Sequence, residues 1–355
     1  PIYSNTFNTL LSLNQKFKNK SYLDFNSSIS IGKTDRNSFI NSTTLYTNDS
    51  IADIYRNINE KNISKNNQYN FDVKYTYPIT DSLKIAVGSA YNLTDSETNN
   101  RTWNYNDVTG EYDNLNNDLT RFYSTKLNEF NPYAQLLLNK NKISATVRFG
   151  ANIYNQQNFG TFKADDYSST QNKTLPDISG NIRYQNGNNS LSLMYNYQTS
   201  LASTSQVLPI LDETDPLDVF KGNPDLDPNK AHRINLMFSN FDRKTRQGFN
   251  ANLGYTYNES NIVNYTEMDY SIYKRTTTYE NVKGNYRLNG NFFFNKQYQK
   301  GINKFRVNVG MSASYALTQG FRDAVKYEQY NTTLSPTLRL NWDYGDYLTI
   351  SPSYR

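Results

Sequence analysis

The chain has 355 residues, a formal net charge of +5, one histidine and no cysteine. The lack of cysteine excludes disulfides and thiolate metal sites, and with no lysine- or arginine-rich cluster the small positive charge gives no support to nucleic-acid binding. Apolar residues make up 36% of the chain, and no run approaches the roughly 18 apolar residues of a membrane helix.

Alternation of apolar and polar residues along most of the chain predicts β-strands, because successive strand side chains point to opposite faces. The first hairpin turns at residues 18–20, and the second turns at 80–83 between strands around 69–77 and 85–93. Later hairpins turn at segments 139–141, 186–189, 242–247 and 343–346. Three long polar segments lie between the early hairpins, and loops are predicted for all of them: 34–68, 94–120 and 156–174.

About 14 strands can be counted in this way, and their connections alternate between short and long. A soluble sandwich is the alternative for a sheet with one apolar face, but it has no reason to keep that order. We therefore predict an all-β fold: a transmembrane, antiparallel, up-and-down β-barrel of the bacterial outer membrane with short periplasmic turns and long extracellular loops. Aromatic residues beside the short turns are predicted to form the interfacial girdle: Tyr77, Phe241, Trp342, Tyr344 and Tyr347.

An acidic, proline-rich loop leads from the strand at 191–197 into the next hairpin. Proline fixes its own φ and disfavours the helical region for its predecessor, so this loop is predicted to be turns and extended backbone. Its clustered carboxylates suit a hard cation such as Ca²⁺, although their spacing matches no calcium loop. The candidate ligands are Asp212, Asp215 and Asp218, against the alternative of solvated surface acids. No other metal site and no cofactor is predicted.

Residues 208–228 also resemble a loop of the TonB-dependent-receptor-like outer-membrane barrels common in Bacteroidetes, in which a stretch D-P-L … G-N-P-x-L-x-P leads into the next strand. Asp215-Pro216-Leu217 supplies the first part of this pattern. The second part is formed by Gly222, Asn223, Pro224, Leu226 and Pro228. Segments 128–134, 147–151 and 175–178 are also similar to family motifs, so the resemblance covers nearly the whole chain.

The resemblance implies a barrel of about 22 strands around an N-terminal plug domain. Neither a plug nor the final strands can be recognised in the sequence, so we expect residues 1–355 to be one barrel segment of a longer protein.

The function that the resemblance implies is energised uptake of a bulky nutrient, with loops that catch the ligand and TonB acting through a plug. Outer-membrane lipid and lipopolysaccharide are the expected surroundings, and a surface lipoprotein is a candidate partner. The alternative is a non-transporting barrel that serves as a structural or accessory subunit of a larger outer-membrane complex. Its aromatic outer face and tyrosine-rich loops would then be interaction surfaces.

Six arginines fall on the polar phase of their strands: Arg148, Arg183, Arg233, Arg287, Arg306 and Arg339. A guanidinium facing lipid near the middle of the membrane is costly, so these side chains are predicted to face the lumen. Two roles stay open for them. They can pair with acids on neighbouring strands or on a plug, since Asp24 and Asp72 share the polar phase, or they can bind an anionic substrate.

The sequence gives little support to catalysis. His232 is the only histidine and begins a strand, with no second imidazole to share a metal or a proton. Nucleophile elbows, phosphate loops and zinc-protease motifs are absent from the sequence. The chain is therefore predicted not to be an enzyme.

Overall fold

The computed structural model describes residues 2–45, 53–163, 165–213 and 215–354. The strands are β1 (Ile2–Lys16), β2 (Tyr22–Thr44), β3 (Ile54–Pro78), β4 (Leu83–Asn106), β5 (Glu111–Leu115), β6 (Arg121–Lys140), β7 (Ile143–Phe162), β8 (Asp165–Asn186), β9 (Asn189–Ser200), β10 (Leu211–Asp212), β11 (Asp218–Lys221), β12 (Asn229–Asp242), β13 (Gln247–Asp269), β14 (Lys274–Val282), β15 (Asn285–Lys300), β16 (Asn303–Arg322), β17 (Val325–Tyr344), β18 (Leu348–Ile350) and β19 (Ser353–Tyr354). One short helix, α1 (Thr204–Val207), lies between β9 and β10. Within these residues, no helix has the length and apolar character needed to cross a membrane.

Each long strand pairs antiparallel with its neighbours in a single sheet. The order is β1-β2-β3-β4-β6-β7-β8-β9-β12-β13-β15-β16-β17, and β17 then pairs with the short β18 and β19. These thirteen long strands and one interrupted strand confirm the prediction of about 14 antiparallel strands. Among the described residues, β1 and the last strand each pair on one side, so the sheet is open.

The sheet has one polar and one apolar face, as the alternation predicts. Large apolar side chains remain exposed along the apolar face of neighbouring strands, among them Val87, Phe149, Ile182, Leu253 and Leu340. The side chain of Phe149 is 61% exposed although it lies in the middle of β7. Such a continuous surface would be covered by a second layer in a soluble protein, whereas in a membrane barrel it faces lipid.

The three segments predicted as loops are largely strand, and that part of the prediction is wrong. β2 and β3 carry the first hairpin out to Thr44 and back from Ile54, while residues 46–52 of the predicted loop lie outside the described residues. β4 and β5 occupy much of the second segment, and β7 and β8 nearly all of the third. Both faces of these extensions are polar, so the apolar alternation disappears although the backbone ladder continues.

The opposite end of the sheet has tight turns. A residue with positive φ stands in each of several turns, including Lys20 (φ 62°), Asn141 (φ 53°) and Gly187 (φ 57°). Left-handed backbone of this kind is common in tight hairpin turns, and it favours glycine and asparagine. The short turns predicted at these positions are therefore confirmed.

The predicted girdle residues lie beside the short turns. Trp342 stacks on Phe305 with ring centroids 6.0 Å apart, and its indole Nε1 donates to Asn303 Oδ1 at 3.0 Å. Tyr344 meets Trp342 edge-on at 6.4 Å. Tyr77 and Phe241 are exposed at the ends of their strands, and Tyr347 is exposed in the turn between β17 and β18. This position next to the turns is the one that an interfacial girdle requires.

Candidate ligand-binding mouth

The connection between β9 and β12 folds across the end of the sheet opposite the short turns. We call residues 201–228 the lid and this end of the sheet the mouth. On one side, Leu208 and Ile210 of the lid are buried against Phe162 of β7. On the other side, Val207 and Leu226 form a second buried cluster. Partly buried Ile262 of β13 and Tyr279 of β14 pack against this second cluster. The lid therefore bridges strands that are far apart in the sheet.

The resemblance motif forms the anchor of the lid. A Cβ atom at Gly222 would lie 1.9 Å from the carbonyl oxygen of Leu208, so only glycine fits there. The Asn223 amide donates to Gln206 O at 2.6 Å, and its Nδ2 donates to Tyr279 O at 2.8 Å. Gly222 and Asn223 thus tie the loop both to itself and to β14.

The end of the motif fixes the chain as it enters β12. Leu226 and Pro228 are buried, whereas Pro224 is exposed. The Asp227 amide donates to Asn281 Oδ1 at 2.8 Å, and Asn281 Nδ2 donates back to Asp227 O at 2.9 Å. This reciprocal pair gives the loop a second attachment to β14.

Ion pairs hold the middle of the lid. Arg121 of β6 pairs with Asp212, and Arg275 Nε of β14 donates to Asp218 Oδ1 at 2.9 Å. Glu213 accepts from Lys274 Nζ at 3.2 Å and from Lys163 Nζ at 3.3 Å. These pairs join the lid to β6, to β14 and to the turn after β7, so charge as well as apolar packing keeps the lid across the mouth.

These contacts set the protonation of Glu213. Burial alone would raise the pKa of its carboxyl, but the hydrogen bonds from Lys274 and Lys163 outweigh burial and hold that pKa below its usual value of 4.5. Glu213 is therefore an anion at neutral pH and contributes its two ion pairs to the closed lid.

Two of the three calcium candidates take part in these ion pairs, and the third forms a hydrogen bond within the lid. Asp212 and Asp218 face arginines, and Asp215 Oδ1 accepts the Leu217 amide at 2.9 Å. Within the described part of the chain, no group of three histidine or acidic side chains is placed to hold a metal ion. The geometry of the described lid thus favours ion pairing over a calcium cage.

A cavity of about 440 Å³ lies between the lid and the polar face of β3, β4 and β6. Hydroxyl and amide groups make up most of its lining, including those of Asn62, Thr98 and Ser203. Glu60, Arg121 and Asp212 add charge. Its groups can hydrogen-bond a polar ligand that reaches the mouth.

Below the mouth, the polar face of β2 to β8 carries a network in which basic and acidic groups are paired. Lys74 Nζ lies 3.2 Å from Asp24 Oδ2, and Arg148 Nε donates to Asp177 Oδ2 at 2.8 Å. The Arg148 guanidinium also lies 3.6 Å from the centre of the Tyr133 ring. Asp24 and Arg148 are thus paired with neighbouring strands, which is the structural alternative left open for the arginines.

The other five arginines have different surroundings. Arg306 Nη2 lies 2.7 Å from Asp343 Oδ2, and Arg183 Nε donates to Ser190 Oγ at 3.1 Å. Across the described segments, no hydrogen-bond or ion-pair partner faces the side chains of Arg233, Arg287 and Arg339. The structure therefore divides the six predicted residues into paired and unpaired arginines.

Sequence reasoning missed the residues that hold the lid. Arg121 and Lys274 come from two strands and Lys163 from the turn after β7, and nothing in their local sequence marks them as partners of residues 212–218. A signal existed for Gly160, since a glycine within a strand often marks a close approach. A Cβ atom there would lie 2.7 Å from Ile210 Cδ1.

His232 lies at the start of β12, as predicted, next to tyrosines. Its Nδ1 is 2.9 Å from the Tyr195 hydroxyl, and its ring centroid is 4.8 Å from that of Tyr197. Its Nε2 lies 3.7 Å from Glu259 Oε2. The imidazole is part of a small polar and aromatic cluster at the strand end.

The two faces, the tight turns and the strand pairing define a transmembrane β-barrel of the bacterial outer membrane. The sequence model of the outer membrane protein beta-barrel family matches residues 15–354, and the chain belongs to that family. No curated protein matches the sequence.

Several solved receptors share the fold. The siderophore receptor PiuA from Acinetobacter baumannii is 13% identical with a TM-score of 0.61, covering 99% of this chain and 54% of the receptor. The ferric-catecholate import receptor Fiu from K12 E. coli is 12% identical with a TM-score of 0.52, covering 99% and 59%. The pyoverdine receptor FpvA from Pseudomonas aeruginosa PAO1 is 10% identical with a TM-score of 0.52, covering 99% and 57%. The chain thus spans a little over half the length of these receptors.

Proposed function

We propose that the chain is the barrel part of a TonB-dependent-type receptor that takes up a bulky nutrient across the outer membrane. The observation that carries this proposal is the lid: a folded segment that closes over a polar-faced sheet and leaves a cavity of about 440 Å³ beneath it. A purely structural barrel has no need to fold its longest connection across its own mouth. The matched receptors, which are import and siderophore receptors by name, support the same reading.

In this proposal the polar rim and the cavity hold the ligand before it enters the lumen. Passage then requires the lid to move, because its contacts with β6, β7 and β14 cross the mouth. Energy would come from TonB through a plug outside this chain, and a surface lipoprotein is a candidate for delivering the ligand. No covalent step is required of any residue, so the proposed receptor is not an enzyme.

The test is a comparison of nutrient depletion by cells. A strain that lacks the gene is compared with the parent by mass spectrometry of the medium, with and without a protonophore. We expect at least one bulky compound to disappear only in energised cells that carry the protein. A Gly222→Ala strain should deplete that compound more slowly, while a Gly180→Ala strain should match the parent, since nothing lies closer than 3.8 Å to a Cβ there. If the media of all strains have the same composition and the protein is isolated in a stoichiometric complex, the accessory-subunit role would be established instead.

A further inference from the structure

The polar face of the sheet divides into two regions of different charge. We call the polar face of β2 to β8 the acid-matched wall and that of β9 to β17 the acid-poor wall. In the second region the strand segments 189–200, 229–242, 247–258, 285–300, 303–317 and 331–344 contain two acidic residues, Asp242 and Asp343. Both are next to short turns, and the middle of this wall carries none.

Neither of these acids is available to the unpaired arginines. Asp343 pairs with Arg306. The Asp242 carboxylate accepts the Lys244 amide at 2.9 Å and the Thr245 hydroxyl at 2.8 Å within its own turn. Positive charge in the middle of the acid-poor wall is therefore uncompensated by the described residues.

Two of the arginines lie on the same row of the sheet. Arg233 of β12 and Arg287 of β15 are both directly opposite Thr256 of β13, which places all three on one face. Strands lie about 4.8 Å apart, so the two arginine Cα atoms are roughly 10 Å apart. Asn196 and Ala316 flank them along the row. These short neighbours leave both arginine side chains exposed.

A pair of uncovered guanidinium groups on one row of the sheet is suited to anions. Each guanidinium can donate two parallel hydrogen bonds to a carboxylate or a phosphate. A concave, single-sign surface also raises the local concentration of counter-charged solutes. Arg339, nearer the short turns, adds to the same potential.

We propose that Arg233 and Arg287 form an anion-binding site on the acid-poor wall for a ligand that carries two carboxylate or phosphate groups. The site rests on the proposed receptor function for its biological meaning, because the ligand would meet it after passing the lid. Binding itself is a property of the protein that does not depend on energised uptake. The two can therefore fail separately.

The experiment measures anion binding to the full-length protein purified in detergent micelles. Citrate and pyrophosphate are the probes, titrated separately by calorimetry at low salt, and they distinguish a carboxylate site from a phosphate site. The test variant is Arg233→Gln/Arg287→Gln. The control is Arg243→Gln/Arg246→Gln, which removes the same charge from the exposed turn of the same hairpin.

We expect at least one probe to bind the parent protein and to lose about tenfold or more in affinity in the test variant. The affinity of the control variant should stay within about twofold of the affinity of the parent. The test variant should melt like the parent, since among the described residues neither arginine of the row has a partner to lose. Within the same part of the chain, the control loses only the hydrogen bond from the exposed Arg246 side chain to Gln299 Oε1 and should also melt like the parent. Added salt should weaken binding to the parent.

Three results would overturn the proposal. The first is that neither probe binds the parent. The second is that the test variant binds as well as the parent, and the third is that the control loses as much affinity as the test variant. In the first case, a melting temperature of the test variant below that of the parent gives the reason. That result would show that an acidic segment of the protein itself occupies the wall.

Discussion

Arg148 and Arg287 occupy equivalent places in two regions that differ in their surroundings. The pairing of β7 with β8, of β8 with β9 and of β9 with β12 puts Arg148 on the same cross-strand row as Arg233, and therefore as Arg287. Arg148 is half-buried between Asp177 and the Tyr133 ring, whereas Arg287 is exposed and has no hydrogen-bond or ion-pair partner in the described part of the chain. The same residue type in the same strand phase is thus part of the wall in one region and available to a ligand in the other.

The difference lies in the cross-strand neighbours. Next to Arg148, the sheet supplies Asp177 and Asn131 from two other strands. Next to Arg287, it supplies Thr256 and Ala316. The two walls are joined at the mouth by the lid, which contacts β7 on one side and β14 on the other.

The largest expected effect comes from breaking the lid that joins the two walls. Gly222→Ala would push a methyl group into the Leu208 carbonyl, and no rotamer change can relieve a contact with backbone. We expect the free energy of local lid opening to fall by about 3 kcal/mol, because overpacking against fixed atoms forces the backbone to move. Hydrogen exchange of the amides at Asn223 and Asp227 measures that opening.

Gly180→Ala is the matched control for this prediction. A Cβ atom there meets only Thr146 O at 3.8 Å, so exchange of the lid amides should not change. Equal effects of the two substitutions, or none for Gly222→Ala, would mean that the lid is not held in the observed position.

The second prediction sharpens the contrast between the walls through stability. Arg148→Gln leaves the Asp177 carboxylate and Asn131 without their guanidinium partner, and we expect a loss of about 2 kcal/mol in the free energy of unfolding. Arg287→Gln removes no partner and should change stability by less than about 0.5 kcal/mol. Denaturant unfolding in detergent micelles measures both.

The double variant Arg148→Gln/Asp177→Asn should recover part of the lost stability, because it also removes the unpaired carboxylate. Equal losses in the free energy of unfolding for Arg148→Gln and Arg287→Gln would remove the distinction between the walls.

Much of the barrel could be predicted from sequence because its signal is local. Alternation such as that from Phe249 to Tyr257 reports directly on which side chains share a face, and turn residues such as Gly187 mark where a hairpin reverses. The polar hairpin extensions were missed because alternation is invisible when both faces are polar. In residues 54–64, for example, the strand continues although apolar and polar residues no longer separate.

The site was less predictable because it is assembled from distant parts of the chain. The polar phase correctly places Arg148 and Arg287 on the same face, but their partners depend on register with strands that the sequence does not specify. Likewise, the family motif marks Gly222 and Asn223 without indicating that Tyr279, more than 50 residues later, accepts from Asn223.

The smallest expected effect concerns the charge that holds the lid across the two walls. Because the pKa of Glu213 in the closed lid lies below its usual 4.5, its contribution is fully present above 4.5 and is lost as the pH falls through the lower, closed-state value. We expect less than about 1 kcal/mol from this half-exposed cluster, since solvent screens it. Lid-amide exchange, corrected for its intrinsic pH dependence, should show the parent better protected than Glu213→Gln at neutral pH. The two proteins should converge once the pH lies below the closed-state pKa of Glu213, where both lids lack this charge. Equal protection of the parent and Glu213→Gln at neutral pH would assign the tether to the packing of Leu208 and Ile210, and the lid would then join the walls through apolar contact without help from Lys163 and Lys274.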